Sequence, residues 1–218
     1  KIKATGFPRT DMFFNDQYKE NIKKSFYQRH PRYQGKKIIL FAPTYRGAPV
    51  SKATYDFSKI DFQQIYETFH EDYICILKWH PALYNNIQRG YVEMPDLSQY
   101  NHFYKDFSNY RDINDLLIVS DILITDYSSV IFEVSLLDIQ TIFFAYDLQE
   151  YIQARDFFYP YEEYTYGPVV KNQKELEKAI LNPNDYSQKK EKFQKKFMSS
   201  CDGKSTKRFV EQLLGGKS

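Results

Sequence analysis

Short apolar runs alternate with helical segments between residues 36 and 146, and this alternation limits the fold more than any other feature of the sequence. Each run has the length of a buried strand, whereas the segments between them carry apolar residues at helical spacing. The predicted strands cover residues 36–42, 73–79, 90–94, 121–125 and 141–146, and the predicted helices between them cover 60–70, 112–119 and 129–137. Such alternation is typical of an α/β fold with a doubly wound parallel sheet.

The segments that flank this pattern are predicted as helices and loops. They are a polar helix (16–28), an irregular polar stretch (96–109), a helix (148–155), an aromatic loop (156–168) and three lysine-rich helices (174–181, 186–198 and 204–214). We therefore divide the chain into a linker with a leading helix (1–35), a sheet domain (36–200) and a C-terminal helix (201–218).

The charge of the chain is nearly balanced, with 30 basic and 28 acidic residues and a formal net charge of +2. A total this small predicts no nucleic-acid partner. The distribution is uneven, because residues 1–170 carry 18 basic and 22 acidic side chains (net −4) and residues 171–218 carry 12 and 6 (net +6). The basic tail is explained by solvated helix faces, and contact with a membrane surface or an anionic polymer is the alternative.

The two cysteines, Cys75 and Cys201, have no spacing that indicates a metal site. Cys75 lies within an apolar run and is expected to be a core thiol. The sequence shows neither a signal peptide nor an apolar segment long enough to span a bilayer. These features together predict a protein of the reducing cytoplasm.

Polar residues follow two of the predicted strands at the point where a proline ends each one. Pro43 ends the first strand and leaves Thr44 and Arg46 beyond it, and His80 with Pro81 ends the second. In open parallel sheets, ligands bind at the carboxyl ends of the strands. A structural histidine after a strand is also common, so the pattern alone leaves both readings of His80 open.

The turn between residues 125 and 129 is a candidate anion site. Ser128 and Ser129 stand where a strand gives way to a helix, so their hydroxyls and free backbone N–H groups can reach the same ligand. A phosphate would fit such a turn. Helix capping alone also explains one serine or aspartate there. The pattern leaves three roles open for Asp126: a helix cap, a ligand of a donor hydroxyl, or a support for His80 or Arg46.

A series of short motifs runs nearly from end to end of the chain. They are Gly6-Phe7-Pro8-Arg9-Thr10-Asp11, Ala42-Pro43-Thr44-Tyr45-Arg46, Lys78-Trp79-His80-Pro81, Asp121 to Ser129 with Phe132-Glu133, Ala145-Tyr146-Asp147 with Tyr151 and Arg155, Gly167-Pro168, and Asp202-Gly203-Lys204 with Arg208-Phe209-Val210. In order and spacing they resemble the C-terminal half of the CDP-glycerol glycerophosphotransferases, the teichoic-acid polymerase family.

The resemblance implies a GT-B architecture, in which two Rossmann-like domains face each other and the C-terminal one binds the nucleotide donor. Residues 36–200 would then be the Rossmann-like nucleotide-donor domain. The implied reaction transfers glycerol phosphate, or a similar polyol phosphate, from CDP-glycerol or CDP-ribitol to a hydroxyl of a teichoic-acid-like or capsular polymer or its lipid-linked primer. It takes place at the cytoplasmic face of the membrane.

One part of that family's pattern has no counterpart in these 218 residues. It is the N-terminal acceptor domain, whose His-Gly motif supplies a catalytic base. We therefore expect this chain to be the donor-binding half, inactive in isolation.

The implied reaction assigns roles to individual residues. An acceptor oxygen attacks phosphorus and CMP leaves, so the site must stabilise charge on a pyrophosphate without a covalent protein nucleophile. We expect Ser128 and Ser129 to bind the phosphates, Arg46 to reach the same edge, and His80 to be catalytic, with its imidazolium meeting the charge that grows on CMP.

Thr44, Asp126 and Arg155 complete the predicted donor site. Arg155 resembles a family position near the donor, and a surface arginine is an equally good interpretation of it. Cationic side chains can neutralise the leaving phosphate, so we expect no metal ion and no other cofactor.

Two other functions stay open at this point. A sugar-transferring GT-B enzyme would have a similar donor domain, although the sequence of residues 125–129 disfavours it. A nucleotide- or phosphate-binding module without catalysis of its own would fit a half-enzyme. A serine hydrolase is the weakest alternative, because Ser128 is not framed by glycines in a Gly-x-Ser-x-Gly elbow.

Overall fold

The computed structural model describes residues 3–155 and 157–215. Its centre is a sheet in which all paired strands run parallel. The strands are β1 (Lys37–Phe41), β2 (Tyr73–Leu77), β3 (Tyr104–Asp106), β4 (Ile122–Thr125), β5 (Gln140–Phe144) and β6 (Val169–Val170). Their order across the sheet is β3-β2-β1-β4-β5-β6, which confirms the predicted doubly wound α/β fold of Rossmann type.

Helices cover both faces of this sheet. They are α1 (Asp16–Arg29), α2 (Phe62–Phe69), α3 (Pro81–Gln88), α4 (Ile113–Val119), α5 (Val130–Val134), α6 (Leu148–Arg155), α7 (Gln173–Leu181), α8 (Ser187–Phe197) and α9 (Ser205–Leu214). Successive residues of β1 point to opposite faces, so Ile39 belongs to one core and Ile38 and Leu40 to the other. No helix in the described part of the chain combines the length and apolarity needed to cross a membrane.

The prediction of a third strand over residues 90–94 is wrong. Gly90 follows the end of α3 with a φ of +72°, and residues 91–97 belong to no strand. The third strand is instead Tyr104–Asp106, within the stretch predicted to be irregular. It lies at the edge of the sheet and, among the described strands, pairs with β2 alone, so a short and half-polar segment is sufficient.

Two further elements are absent from the sequence prediction. Helix α3 begins directly after His80, whose Nδ1 accepts a hydrogen bond from the Ala82 N–H at 3.2 Å, with Pro81 at the first helical position. Strand β6 has only two residues and follows the predicted loop over 156–168. Asp156, the first residue of that loop, lies outside the described residues, as do Lys1, Ile2 and residues 216–218 of the predicted end segments.

The N-terminal turn and the last helix contact each other. The carboxylate of Asp11 accepts hydrogen bonds from the N–H groups of Ser205 (3.0 Å) and Thr206 (2.7 Å) at the start of α9. A carboxylate is favourable at a helix N-terminus. These contacts connect the two terminal segments to each other and do not test the predicted domain boundaries at residues 35 and 200. Those boundaries stay a prediction.

The chain leaves β1 in one direction to build β2 and β3, and then returns to build β4, β5 and β6 on the other side. The carboxyl ends of β1 and β4 therefore flank the point at which the strand order reverses. In doubly wound folds this point opens a crevice for ligands.

Candidate functional site

Asp126 joins the two strands at this crevice. Its Oδ1 accepts hydrogen bonds from the N–H of Thr44, beyond β1, at 2.8 Å and from its own neighbour Tyr127 at 2.6 Å. The side chain is 1% exposed. Burial raises the pKa of Asp126 above its usual value, while Arg46 and the two N–H groups act to lower it. Asp126 therefore connects the segment that follows β1 to the segment that follows β4.

Arg46 is held by two carboxylates. Its Nε lies 2.5 Å from Asp147 Oδ2 and its Nη2 donates to Asp147 Oδ1 at 2.8 Å, while Nη2 also lies 3.0 Å from Asp126 Oδ2. Its Nη1 donates to the Thr44 carbonyl at 2.5 Å. Burial alone would lower the pKa of Arg46, but the bonds to Asp147 and the charge of Asp126 raise it.

Aromatic rings enclose this ion pair. The guanidinium carbon of Arg46 lies 4.8 Å from the ring centre of Tyr127 and 5.4 Å from those of Tyr146 and Tyr151. Tyr127 also donates a hydrogen bond from its hydroxyl to Asp147 at 2.9 Å. Most of the charge of Arg46 is thus balanced within the protein, so Arg46 can order the strand ends more readily than it can neutralise a ligand.

His80 and Arg155 both lie against the ring of Tyr45. The His80 ring lies 4.7 Å from that of Tyr45, and the Arg155 guanidinium carbon also lies 4.7 Å from the Tyr45 ring centre. Arg155 donates a further hydrogen bond to the Gly47 carbonyl at 2.9 Å. Partial burial, followed by the charge of Arg155, lowers the pKa of His80.

The protonation state of His80 follows from these contacts. Because Nδ1 accepts the bond from Ala82, the ring proton is on Nε2, and the lowered pKa favours the neutral imidazole at pH 7. A neutral His80 differs from the imidazolium that the implied reaction led us to expect. A neutral His80 can still donate a hydrogen bond from Nε2–H.

Ser128 and Ser129 line an open pocket of 620 Å³. Two arginines from distant parts of the chain, Arg9 and Arg111, line the same pocket. Helix α5 has only five residues, and its Ser129 N-cap makes no side-chain capping bond, whereas Ser128 Oγ accepts from the Val130 N–H at 3.3 Å. The charged side chains that line the pocket are the cations Arg9 and Arg111 and the carboxylates Asp112 and Glu133.

Buried polar atoms lie in the wall of this pocket. Glu133 forms an ion pair with Arg9 through Oε1, while its Oε2 is buried without a hydrogen-bond partner among the described residues. Asn114 Oδ1 is likewise buried and unpaired within the described chain. Because unpaired buried polar atoms are uncommon in folded proteins, these two atoms support the interpretation of the pocket as a functional site.

The structure therefore arranges the seven predicted residues in three groups. Thr44, Arg46 and Asp126 form the hydrogen-bonded network between β1 and β4. His80 and Arg155 meet at Tyr45.

Ser128 and Ser129 form the third group and line the pocket without the other five. Sequence reasoning missed Arg9 and Arg111 as site residues. Arg9 stands within the Gly6–Asp11 motif, which was the available signal for it, and nothing in the sequence singles out Arg111.

Comparison with known proteins gives a consistent set of relatives. The profile of the family described as CDP-glycerol:poly(glycerophosphate) glycerophosphotransferase matches residues 1–215. The teichoic acid poly(ribitol-phosphate) polymerase of Bacillus spizizenii is 40% identical over 213 residues, which cover 98% of this chain and 33% of that protein. The teichoic acid glycerol-phosphate transferase of Staphylococcus aureus is 31% identical, covering 98% of this chain and 54% of that protein.

A solved structure is also similar. A variant of the wall teichoic acid polymerase TagF, soaked with CDPG, matches with a TM-score of 0.79 at 31% identity and covers 99% of this chain and 50% of that chain. The chain thus spans between a third and about half of the length of these relatives.

Proposed function

The chain belongs to the CDP-glycerol:poly(glycerophosphate) glycerophosphotransferase family, and from this premise we propose that it is the donor-binding half of a polyol-phosphate transferase. The observation that carries the proposal is the pocket beside the strand-order reversal, which combines Ser128 and Ser129 with the cations Arg9 and Arg111. Two hydroxyls and two guanidinium groups suit a pyrophosphate. The donor is CDP-ribitol or CDP-glycerol, and this half corresponds to the C-terminal domain of a GT-B architecture.

The proposed reaction is an in-line displacement at the phosphorus that carries the polyol. A bond forms between an acceptor hydroxyl oxygen and this phosphorus, and the bond to the bridging oxygen of CMP breaks. Negative charge grows on the departing phosphate, so cations fixed near it lower the barrier. Arg9 and Arg111 supply those cations, and Ser128 and Ser129 hold the phosphoryl oxygens.

The other predicted residues support or complete this site. Thr44 and Asp126 fix the ends of β1 and β4 relative to each other, and Arg46 is a positioning residue that connects Asp126 to Asp147. His80 lies at Tyr45 and does not line the pocket of the serines, so its proposed donation from the neutral Nε2–H to the leaving phosphate requires the bound donor to extend from the pocket to Tyr45. Arg155 holds the Tyr45 ring against His80.

The rest of the reaction depends on a second domain. The hydroxyl of the acceptor loses a proton to a base that this half does not provide, so the isolated chain binds donor without turning it over. The acceptor is a teichoic-acid-like or capsular polymer, or its lipid-linked primer, at the cytoplasmic face of the membrane.

Calorimetry and a polymer-forming assay on the same preparation test this function. The chain should bind CMP, CDP-glycerol or CDP-ribitol and should form no polymer. A comparison of the two CDP-polyols identifies the donor alcohol. Robust turnover by the isolated chain would disprove the half-enzyme proposal, and failure to bind any CDP ligand would remove the donor assignment.

A further inference from the structure

A second pocket lies at the opposite edge of the sheet from the proposed donor site. It has a volume of 440 Å³, and its cationic lining residues are Arg29, Arg32, Lys36 and Lys105. We call it the amino-edge pocket, because Lys36 directly precedes β1 and Arg29 and Arg32 come shortly before it. Along a strand of five residues at ~3.3 Å each, the two edges are roughly 16 Å apart.

The cations of the amino-edge pocket are not neutralised by the residues that the structure describes. Arg29 Nε donates to the Ser25 carbonyl at 3.2 Å, and Lys36 Nζ donates to the His70 carbonyl at 2.8 Å. None of its four cations pairs with a carboxylate of the described residues, and no described aspartate or glutamate lines the pocket. Arg46 at the other edge differs in this respect, because two carboxylates hold it.

The four cations come from four segments of the chain, namely α1, the turn Pro31–Tyr33, the residue before β1, and β3. Burial, followed by the charges of Arg29 and Lys105, lowers the pKa of His30. The His30 ring stacks on Tyr33, with centroids 5.2 Å apart and planes within 9° of parallel. The pocket therefore has a rigid aromatic wall, while α1, the 3₁₀ turn Pro31–Tyr33 and β3 each contribute cations around it.

Uncompensated cations that face one concave space repel each other, so an anion that enters is stabilised by all of them. We propose that the amino-edge pocket binds phosphodiester groups of the polyol-phosphate polymer, as a product or acceptor site remote from the donor. The identity of the polymer rests on the proposed function. A chain with one phosphate in every repeat can occupy the pocket while a more distal part of it reaches the far edge of the sheet.

The surroundings of the pocket favour a polymer over a lipid bilayer. Surfaces that bind membranes combine basic residues with apolar side chains that enter the lipid. The most exposed large apolar side chains of the described chain include Phe158, Tyr91 and Leu214, and none of these lines the pocket. A phosphodiester of a hydrophilic polymer needs no such anchor.

A pair of double variants on the same helix region tests the proposal. Arg29→Gln with Arg32→Gln removes two charges that line the pocket, and Lys23→Gln with Lys24→Gln removes two exposed charges of α1 that do not. The probe is a synthetic oligo(glycerol phosphate), titrated by calorimetry at two salt concentrations. The arginine pair should lose affinity roughly tenfold and show a weaker salt dependence, whereas the lysine pair should change by less than about twofold.

The remaining outcomes also decide the question. CMP affinity should be unchanged in both double variants, because the donor pocket is at the other edge. Equal losses in the two pairs, or no binding of the oligomer by the unmodified chain, would overturn the proposal. Loss of binding to phosphatidylglycerol vesicles, with oligomer binding intact, would assign the pocket to the membrane instead. Oligomer binding that depends on Arg29 and Arg32 in a chain that binds no CMP would support the pocket while refuting the donor assignment.

Discussion

Arg9 and Glu133 form an ion pair in the wall of the donor pocket, although they are 124 positions apart in the sequence. The side chain of Glu133 is 5% exposed and that of Arg9 is 65% exposed. The buried carboxylate thus holds a guanidinium that remains open to the pocket. A carboxylate left alone in this position would repel the phosphates that the pocket is proposed to bind.

The first prediction uses this asymmetry. Arg9→Gln should weaken CDP-ligand binding by ~1.5–3 kcal/mol, because a charged hydrogen-bond donor is lost and Glu133 is left uncompensated. Arg9→Gln combined with Glu133→Gln should bind more tightly than Arg9→Gln alone, since the repulsive charge is also removed. Calorimetric titration of the unmodified chain, Arg9→Gln, Glu133→Gln and the double variant measures the coupling, and additive effects would show that the two residues act independently.

The second prediction concerns the serines. Ser129→Ala should weaken binding of a CDP ligand by ~1.5–3 kcal/mol, the value of a hydrogen bond to a charged group, and should leave stability unchanged. Ser128→Ala should weaken binding similarly and should also lower the free energy of unfolding by about 0.5–1 kcal/mol, because Ser128 Oγ accepts the Val130 N–H. Normal binding by both variants would remove the serines from the site.

The sequence predicts the inner strands well because parallel strands covered on both faces are continuous apolar runs. Ile74, Cys75 and Ile76 of β2 are all buried, for example, and so are the residues of β4. Strand β3 is not a continuous apolar run. It pairs on one side only and includes the half-buried Lys105, so nothing in its composition distinguishes it from a loop.

The candidate site is predicted less completely because most of its contacts are distant in sequence. Residues that lie a few positions beyond the end of a strand, such as Thr44 and Ser128, can be assigned to the ligand edge from local pattern alone. Arg46 and Asp147 are 101 residues apart, and their pairing, which changes the role of Arg46, depends on packing. The same is true of Arg9, which lines the pocket of Ser128 because the folded N-terminal turn brings it there.

The third prediction tests the junction of β1 and β4. Asp126→Ala should lower the free energy of unfolding by ~3 kcal/mol or more, because it removes the acceptor of the Thr44 N–H and leaves Arg46 with Asp147 alone. Asp96→Ala is a matched control, since Asp96 is exposed and accepts one local N–H from Ser98. Urea unfolding measures both variants, and equal stability of the two would show that the buried pair contributes little.

The fourth prediction concerns metal. Arg9 and Arg111 can neutralise a pyrophosphate directly. The two carboxylates that line the pocket are already engaged, because Glu133 pairs with Arg9 and Asp112 accepts the Asn114 N–H at the start of α4. Affinity for CMP should therefore be unchanged by EDTA. Loss of binding in EDTA that Mg²⁺ restores would contradict this expectation.

The last prediction concerns the protonation of His80. Its pKa is lowered, so the neutral ring should persist below the ordinary pKa of ~6.5, and protonation at lower pH would place an N–H against the Ala82 N–H. Arg155→Gln removes a positive charge that lowers this pKa, so the pKa of His80 should rise. NMR titration of the imidazole protons measures it, and Arg29→Gln is the control, because it should raise the pKa of His30 and leave that of His80 unchanged.

In an enzyme that contains both halves, the same shift should appear in the rate. If His80 donates from Nε2–H only while the Nδ1 bond to Ala82 holds its ring, kcat should fall as pH drops through the pKa of His80. Arg155→Gln should move this acid limb to higher pH. His80→Ala should lower kcat more than donor affinity, because the donated bond strengthens as charge grows on CMP. Two results would assign His80 a purely structural role as the cap of α3. One is a loss in His80→Ala that lies wholly in donor affinity, and the other is an acid limb of the kcat–pH profile that Arg155→Gln does not move.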